Sequence, residues 1–282
     1  MPSPFYFRKE MKESFRNYSP ESLRDKCIYD HYKEMRKKQT LAFLSRMEDK
    51  WFGFDHGKMS IRDAFDALGS YVDSSDPDTS VPNIEHAFQT AEAIRADGKP
   101  DWFQLVGLIH DLGKIMFLWG EERDGQVGEA GGPQWGIAGD TWVLGMKIPD
   151  CVVFPELNVL SGEDYDSLPS SDLGIYEEGC GLDRLKFAFG HDEYMYRLLL
   201  NAKCSIPEAG LQMVRLHSCY PLHREGAYDK LLKPGDSEIL DYVREFNTYD
   251  LYTKRDIRPD LQQLWPYYEL LIKKYIPGEL RW

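Results

Sequence analysis

Residues 106–114 read V-G-L-I-H-D-L-G-K, and the adjacent His110 and Asp111 close an apolar run that begins at Trp102. With Leu105, Val106, Leu108 and Ile109 ahead of them, the imidazole and the carboxylate are delivered into the interior of whatever this chain folds into. A buried carboxylate without a partner is strongly unfavourable, so buried charges are paired or given to a metal. Neutral imidazole with carboxylate suits Zn, Fe, Mn or Ni, and the lack of thiolates argues against a closed structural zinc site. The fold must then bring further ligands to this point.

Seven histidines are available, and four lie on predicted helices with apolar neighbours on the same face: His86 in N-I-E-H-A-F-Q-T-A-E, His110, His191 in F-G-H-D-E-Y-M-Y, and His217 in M-V-R-L-H-S-C-Y. Any one of them alone is ordinarily a hydrogen-bonded core residue. Four together with Asp111 and Asp250 point instead to a shared centre, and ligands so far apart in sequence converge when facing helices project side chains inward. His31, His56 and His223 stand in basic or loop contexts and read as surface or gate residues.

Periodicity places these residues on a mainly α single domain. An N-terminal arm covers residues 1–20, with a helix start signalled at Ser19-Pro20-Glu21. One long helix follows over 23–52, with Thr40 as the candidate break, then a second over 60–72 with Ile61, Phe65 and Leu68 inward. The loop D-S-S-D-P-D-T-S-V-P at 73–82 lacks the glycine and glutamate of a calcium loop. Asn83 is expected to cap a helix to about Ala96, and Asp101 the next, which ends at Gly113. The glycine-rich stretch 121–132 reads as a mobile insertion and contains no phosphate loop. Residues 135–155 alternate glycine, aromatic and β-branched types, which predicts short strands or extended loops. Helices are expected again over 190–201, 207–220, 237–252 and 261–275.

Charge excludes two classes of partner. Thirty-four basic against 47 acidic residues give a net charge of -13, which opposes phosphate backbones and anionic membrane surfaces. No apolar run approaches the roughly 20 residues that cross a bilayer. Five dispersed cysteines without a C-x-x-C, and no hydrophobic N-terminal segment, imply a reduced cytoplasmic chain with buried thiols.

The pattern H…H-D…D is that of the HD-domain metal proteins. The longer words D-S-S-D-P-D, H-A-F-Q-T-A-E, L-I-H-D-L-G-K, P-Q-W-G-I-A-G-D-T, G-H-D-E-Y-M-Y and E-F-N-T-Y-D-L-Y-T-K resemble the myo-inositol oxygenase family from about Ser14 to the C-terminus. That resemblance implies an all-α, HD-domain-like helical bundle with few short strands, forming one catalytic domain over 1–282. It implies two Fe ions per chain and an oxygenase that opens the myo-inositol ring with O2 to give D-glucuronate. Carried onto this sequence, His86, His110 and Asp250 hold one iron, His191 and His217 hold the other, and Asp111 bridges them. Substrate contacts fall on Arg16, Asp73, Ser75, Lys114, Gly139, Asp140, His217 and Ser218, with Lys114 and Asp111 closest to the chemistry. The expected partners are a small neutral polyol and O2, with no nucleic acid and no membrane, and the expected state is a monomer. The insertion at 121–132 departs from the animal members of the family.

Two other functions share part of this pattern. An HD-type metal-dependent phosphohydrolase would use His86, His110, Asp111 and Asp250 but needs a basic pocket, for which Arg16, Lys114 and Arg215 are the few candidates. A metal sensor without turnover would not need polar loop words beside every ligand helix. Lys114 also carries two readings: a cation at a helix end, worth about 0.3–1 kcal/mol, or a donor that stabilises a deprotonated substrate hydroxyl. The second predicts that its removal cuts turnover while the melting temperature barely moves; the first predicts an earlier melt with normal turnover.

Overall fold

The computed structural model describes residues 23–69, 71–75, 82–129, 132–161, 168–169, 171–252 and 259–282. The expected arm, its helix start and Arg16 lie outside the described residues, as does most of the loop that follows Ser75. The first long helical segment is two helices, α1 (Leu23–Lys38) and α2 (Leu41–Trp51). Thr40 starts the second by accepting a hydrogen bond from the Phe43 amide at 3.0 Å. The break frees the buried Gln39, which donates to the carbonyls of Trp135 and Phe189 and accepts from the Phe189 amide.

Strand β1 (Lys58–Ser60) pairs antiparallel with β2 (Glu279–Arg281), the only sheet among the described residues. Ser60 then caps α3 (Ile61–Leu68) in a reciprocal capping box with Asp63. This helix stops at Gly69, whose φ of +45° leaves the helical region, so it is shorter than the expected 60–72. Helices α4 (Asn83–Ala96) and α5 (Asp101–Ile109) pack closely because Gly107 has no side chain: a Cβ there would meet Ile94 Cδ1 at 2.5 Å. Helix α5 is apolar apart from Asp101 and Gln104, and it is buried from Phe103 to Ile109. It ends before Gly113, and a 3-10 turn over Leu112–Leu118 carries the chain on.

The remaining helices are α6 (His191–Asn201), α7 (Glu208–Leu216), the single turn α8 (Tyr220–His223), α9 (Asp236–Tyr252) and α10 (Leu261–Tyr275). Helix α5 contacts α4, α7 and α10, while α7 also contacts α6 and α9. The protein is therefore mainly helical, as the periodicity implied, and α5 and α7 are its inner pair. No helix is long and apolar enough to cross a membrane.

Beyond these helix ends, further expectations narrow or differ. The 135–155 stretch takes the loop alternative and not the strand one; a lone bridge joins Val143 to Phe187, and positive φ at Gly139 (+106°) and Gly145 (+80°) interrupts extension. The 121–132 segment is pinned rather than loose in its described part. Asp124 is fully buried, 2.6 Å from Arg46 Nη1 and 2.9 Å from Lys50 Nζ. His31 and His223 are buried, each with a ring nitrogen against a backbone carbonyl, because α1 and α8 lie against the core. Of the five unpaired thiols only Cys219 is buried, while Cys27 and Cys151 are exposed.

Candidate metal centre

The donor side chains stand where helices begin or end. His86 is in the first turn of α4, His191 is the first residue of α6, and Asp250 is in the last turn of α9. His110 and His217 are the C-terminal cap residues of α5 and α7, and Asp111 follows at once. The packing of α4, α5, α7 and α9 turns these ends toward one another. All six residues are buried, at 7% exposure or less.

Two groups result, and they share Asp111: His86 with His110 and Asp111, and Asp111 with His191 and His217. In the first, His86 Nε2 lies 2.8 Å from Asp250 Oδ1, while His110 Nε2 lies 3.4 Å from Asp250 Oδ1 and 3.5 Å from Asp111 Oδ2. In the second, His191 Nε2 and His217 Nε2 are 3.2 Å apart and lie 3.0 and 3.6 Å from Asp111 Oδ1. Neighbouring donors around an octahedral ion with bonds of about 2.1 Å are ~3.0 Å apart, so these spacings fit bound divalent metal. Ring orientation is built in. The Nδ1 atoms of His110, His191 and His217 face the carbonyls of Gly107, Ile137 and Val214 at 2.7–2.9 Å, which leaves Nε2 for the centre. His86 Nδ1 has no partner among the described residues.

Charge complements this arrangement. Burial works against the ionised form of Asp111, yet Lys114 and His110 hold its carboxyl well below the usual range. Burial likewise opposes ionisation of Asp250, and the hydrogen bonds from His110 and His86 outweigh it. Burial would lower the His191 pKa, but Asp192 and Asp111 raise it to about 10. Lys114 spans two carboxylates, 2.8 Å from Asp111 Oδ2 and 2.9 Å from Asp73 Oδ2, which keep it charged despite burial.

The expected substrate residues that the structure describes connect to this centre unevenly. Asp73 is tied in through Lys114, and Ser75 donates to Asp73 Oδ1 from its amide at 2.8 Å and its hydroxyl at 2.6 Å. Gln134 holds the same loop by accepting from Tyr71 Oη and from the Ser74 amide and hydroxyl, each at 3.0 Å. Gly139 is required at its position, since a Cβ would meet Met35 Sδ at 2.7 Å and His31 Nε2 at 2.9 Å. Asp140 follows it, with its amide 3.2 Å from Tyr32 Oη, and the Thr141 amide donates to the Ser218 carbonyl. Ser218 Oγ donates to Asp192 Oδ1 at 2.8 Å. Arg215 is turned away, buried against Glu193 and the carbonyls of Leu182 and Leu185.

Two residues at the centre escaped the sequence reading. Asn83 is not the cap of α4: Pro82 precedes the helix, and Asn83 Nδ2 donates to Asp111 Oδ2 at 2.7 Å. Asp101, likewise, is the first residue of α5 rather than its cap. Asp192 lies against both His191 and His217, and its signal was the second H-D dipeptide, at 191–192.

Comparison with known proteins agrees with the motif words. The family described as myo-inositol oxygenase matches residues 25–282. The inositol oxygenase of Danio rerio is 44% identical over 273 residues, covering 96% of this chain and 94% of the relative. That of Homo sapiens is 44% identical over 96% of this chain and 92% of its own length. A probable inositol oxygenase of Oryza sativa subsp. japonica is 41% identical over 95% and 85%. With matches of that extent on both sides, and the histidine and aspartate words inside them, this chain belongs to the myo-inositol oxygenase family.

Proposed function

We propose that the protein opens the ring of myo-inositol with O2 to give D-glucuronate, acting as a cytoplasmic monomer that holds two irons. His86, His110 and Asp250 hold one iron, His191 and His217 the other, and Asp111 is shared. The observation that supports this reading most directly is the pair of buried donor groups meeting at one carboxylate. Relatives covering nearly the whole chain carry the name inositol oxygenase, which supports the choice of substrate. The product has one oxygen more and two hydrogens fewer than the substrate, so one O2 balances the reaction with release of one water.

Bound iron supplies the activation of O2 and the polarisation of a coordinated hydroxyl, chemistry that belongs to the metal. The chain supplies position, charge and dryness. Three protein donors at the second group, against four at the first, leave room there for a diol. Lys114 directs a charge-assisted hydrogen bond at a substrate hydroxyl oxygen and stabilises it as the proton leaves. Asp73, Ser75, Asp140 and Ser218 offer short, fixed polar groups to the other hydroxyls, and Gly139 leaves space for the ring. Arg16 completes this set by resemblance. The burial of every donor keeps bulk water from the reacting atoms.

A phosphohydrolase is disfavoured by charge: beside two carboxylates the single ammonium of Lys114 keeps one N–H for a hydroxyl but makes no net positive pocket for a phosphate, and Arg215 is committed elsewhere. The test uses purified protein, Fe(II), a reductant and an oxygen electrode, with elemental analysis alongside. One O2 consumed per glucuronate formed, only with inositol present, and about two irons per chain are expected. Oxygen-independent release of phosphate from a phosphate ester would replace this reading with the rival.

A further inference from the structure

Asp192 has no role in the reaction described above. It sits in the first turn of α6 beside His191 and is 3% exposed. Its Oδ1 lies 2.9 Å from His191 Nε2 and 3.2 Å from His217 Nε2, the same two nitrogens that are 3.2 Å from each other. Both imidazoles have committed Nδ1 to backbone carbonyls, so the carboxylate oxygen meets the atoms that face the second metal group. Three mutual distances of 2.9–3.2 Å match neighbouring donors on one octahedral ion. The other oxygen, Oδ2, is buried and has no partner among the described residues. Only Ser218 Oγ completes the surroundings of Oδ1.

We infer that Asp192 is a fourth protein donor to the metal of Asp111, His191 and His217 while substrate is absent, and that the incoming polyol displaces it. The inference rests on the two-metal reading. Three protein donors would leave an octahedral metal several positions open to O2 before substrate arrives; an anionic oxygen one residue from His191 would occupy one of them. A diol that binds through two oxygens replaces one carboxylate oxygen, and the released carboxylate stays held by the Ser218 hydroxyl. Ser218, having given its proton to Asp192, then presents only lone pairs and accepts from a substrate hydroxyl. Asp192 thus acts as a guard of the second site and sets which orientation of Ser218 the substrate encounters.

The test is anaerobic titration of metal-free protein with Fe(II), followed by calorimetry, with and without saturating myo-inositol. Asp192→Asn keeps the volume and the acceptor for Ser218, while Asp192→Ala removes both, so the asparagine variant carries the test if the alanine variant does not fold. Without inositol, both variants are expected to bind the second equivalent at least ten-fold more weakly, and the first within two-fold of wild type. With inositol the deficit shrinks, and by linkage the iron-loaded variants bind inositol correspondingly more tightly. Second-equivalent affinity unchanged in Asp192→Asn overturns the inference, as does a deficit that inositol leaves undiminished. Normal behaviour of the asparagine variant with a deficit only in alanine assigns Asp192 to holding Ser218. Wild-type protein that takes up a single iron overturns the two-metal reading instead.

Discussion

Lys114 is nearly inaccessible to water yet holds two carboxylates, Asp111 and Asp73, within 2.9 Å. This is neither a helix-end cation nor a residue whose loss is silent for folding, because its removal strands the buried charge of Asp111 and the half-buried charge of Asp73. Breaking a buried ion pair on one side costs about 3–5 kcal/mol. Lys114→Met is therefore expected to lower the melting temperature of the metal-free protein markedly, and less so after loading with Fe(II), which neutralises Asp111 in its place. Turnover of the loaded variant should fall at least ten-fold in kcat/KM, equivalent to about 1.4 kcal/mol of lost transition-state stabilisation. Paired melts with and without iron, together with steady-state rates, check both halves; equal melting losses in the two states would contradict the account. His31 carries a pH effect of its own. Burial lowers its pKa below the ordinary 6.5, and Asp73, the Ala138 carbonyl and Asp140 only partly oppose this. The unfolded chain thus binds the proton first, so the contribution is fully present above pH about 6.5 and is lost as pH falls toward the depressed folded value. Metal-free wild type should lose stability more steeply than His31→Gln between pH about 6.5 and 5, measured by denaturant midpoints. Parallel slopes would remove His31 from that role. The two residues missed by reading the sequence, Asn83 and Asp192, show what local signals cannot carry. Asn83 has the composition of a cap, but its partner is 28 positions away, and only the packing of α4 on α5 brings them together.

At the scale of elements, the long periodic helices were legible, and so was the position of the six candidate residues on or just past them, because apolar spacing at three and four residues marks a helix face. Their ends were less so. Helix α5 stops at Ile109 rather than Gly113, since the 3-10 turn that follows is set by what it packs on, the start of α6. The 135–155 stretch stayed undecided for a related reason. Its alternation of glycine and aromatics left short strands and extended loops both open, and the glycines, serving positive φ and close approach, decide for loops. Gly113 shows how tightly the elements meet: a Cβ there would lie 2.2 Å from the His191 carbonyl oxygen and 2.9 Å from its carbon. Backbone must move to admit even a methyl group, and the part that moves begins with His191. Gly113→Ala is expected to cost about 1–3 kcal/mol by overpacking. It should also weaken metal binding at the group of Asp111, His191 and His217 while sparing that of His86, His110 and Asp250. Fe(II) stoichiometry and affinity, read equivalent by equivalent, test this. A variant that melts early but binds both equivalents normally would separate the packing from the site.

The whole molecule carries a net charge of -13, and its candidate centre lies under a surface that repels anions. A neutral polyol feels none of this field, whereas a phosphate ester feels all of it on the way in. Raising salt from about 10 mM to about 100 mM shortens the screening length from roughly 30 Å to 10 Å, which removes most long-range repulsion but leaves buried pairs such as Lys114 with Asp111 intact. For myo-inositol, kcat/KM is expected to change less than two-fold over that range. For an anionic substrate it would rise with salt, because the barrier to approach is being screened. The buried donors contribute nothing to this difference; it belongs to the surface charge as a whole. The measurement therefore reads the substrate's charge without any assumption about which residues touch it. Rates that climb steeply with salt would count against a neutral substrate, and flat rates with oxygen-dependent glucuronate formation would exclude the phosphohydrolase on grounds independent of the metal donors.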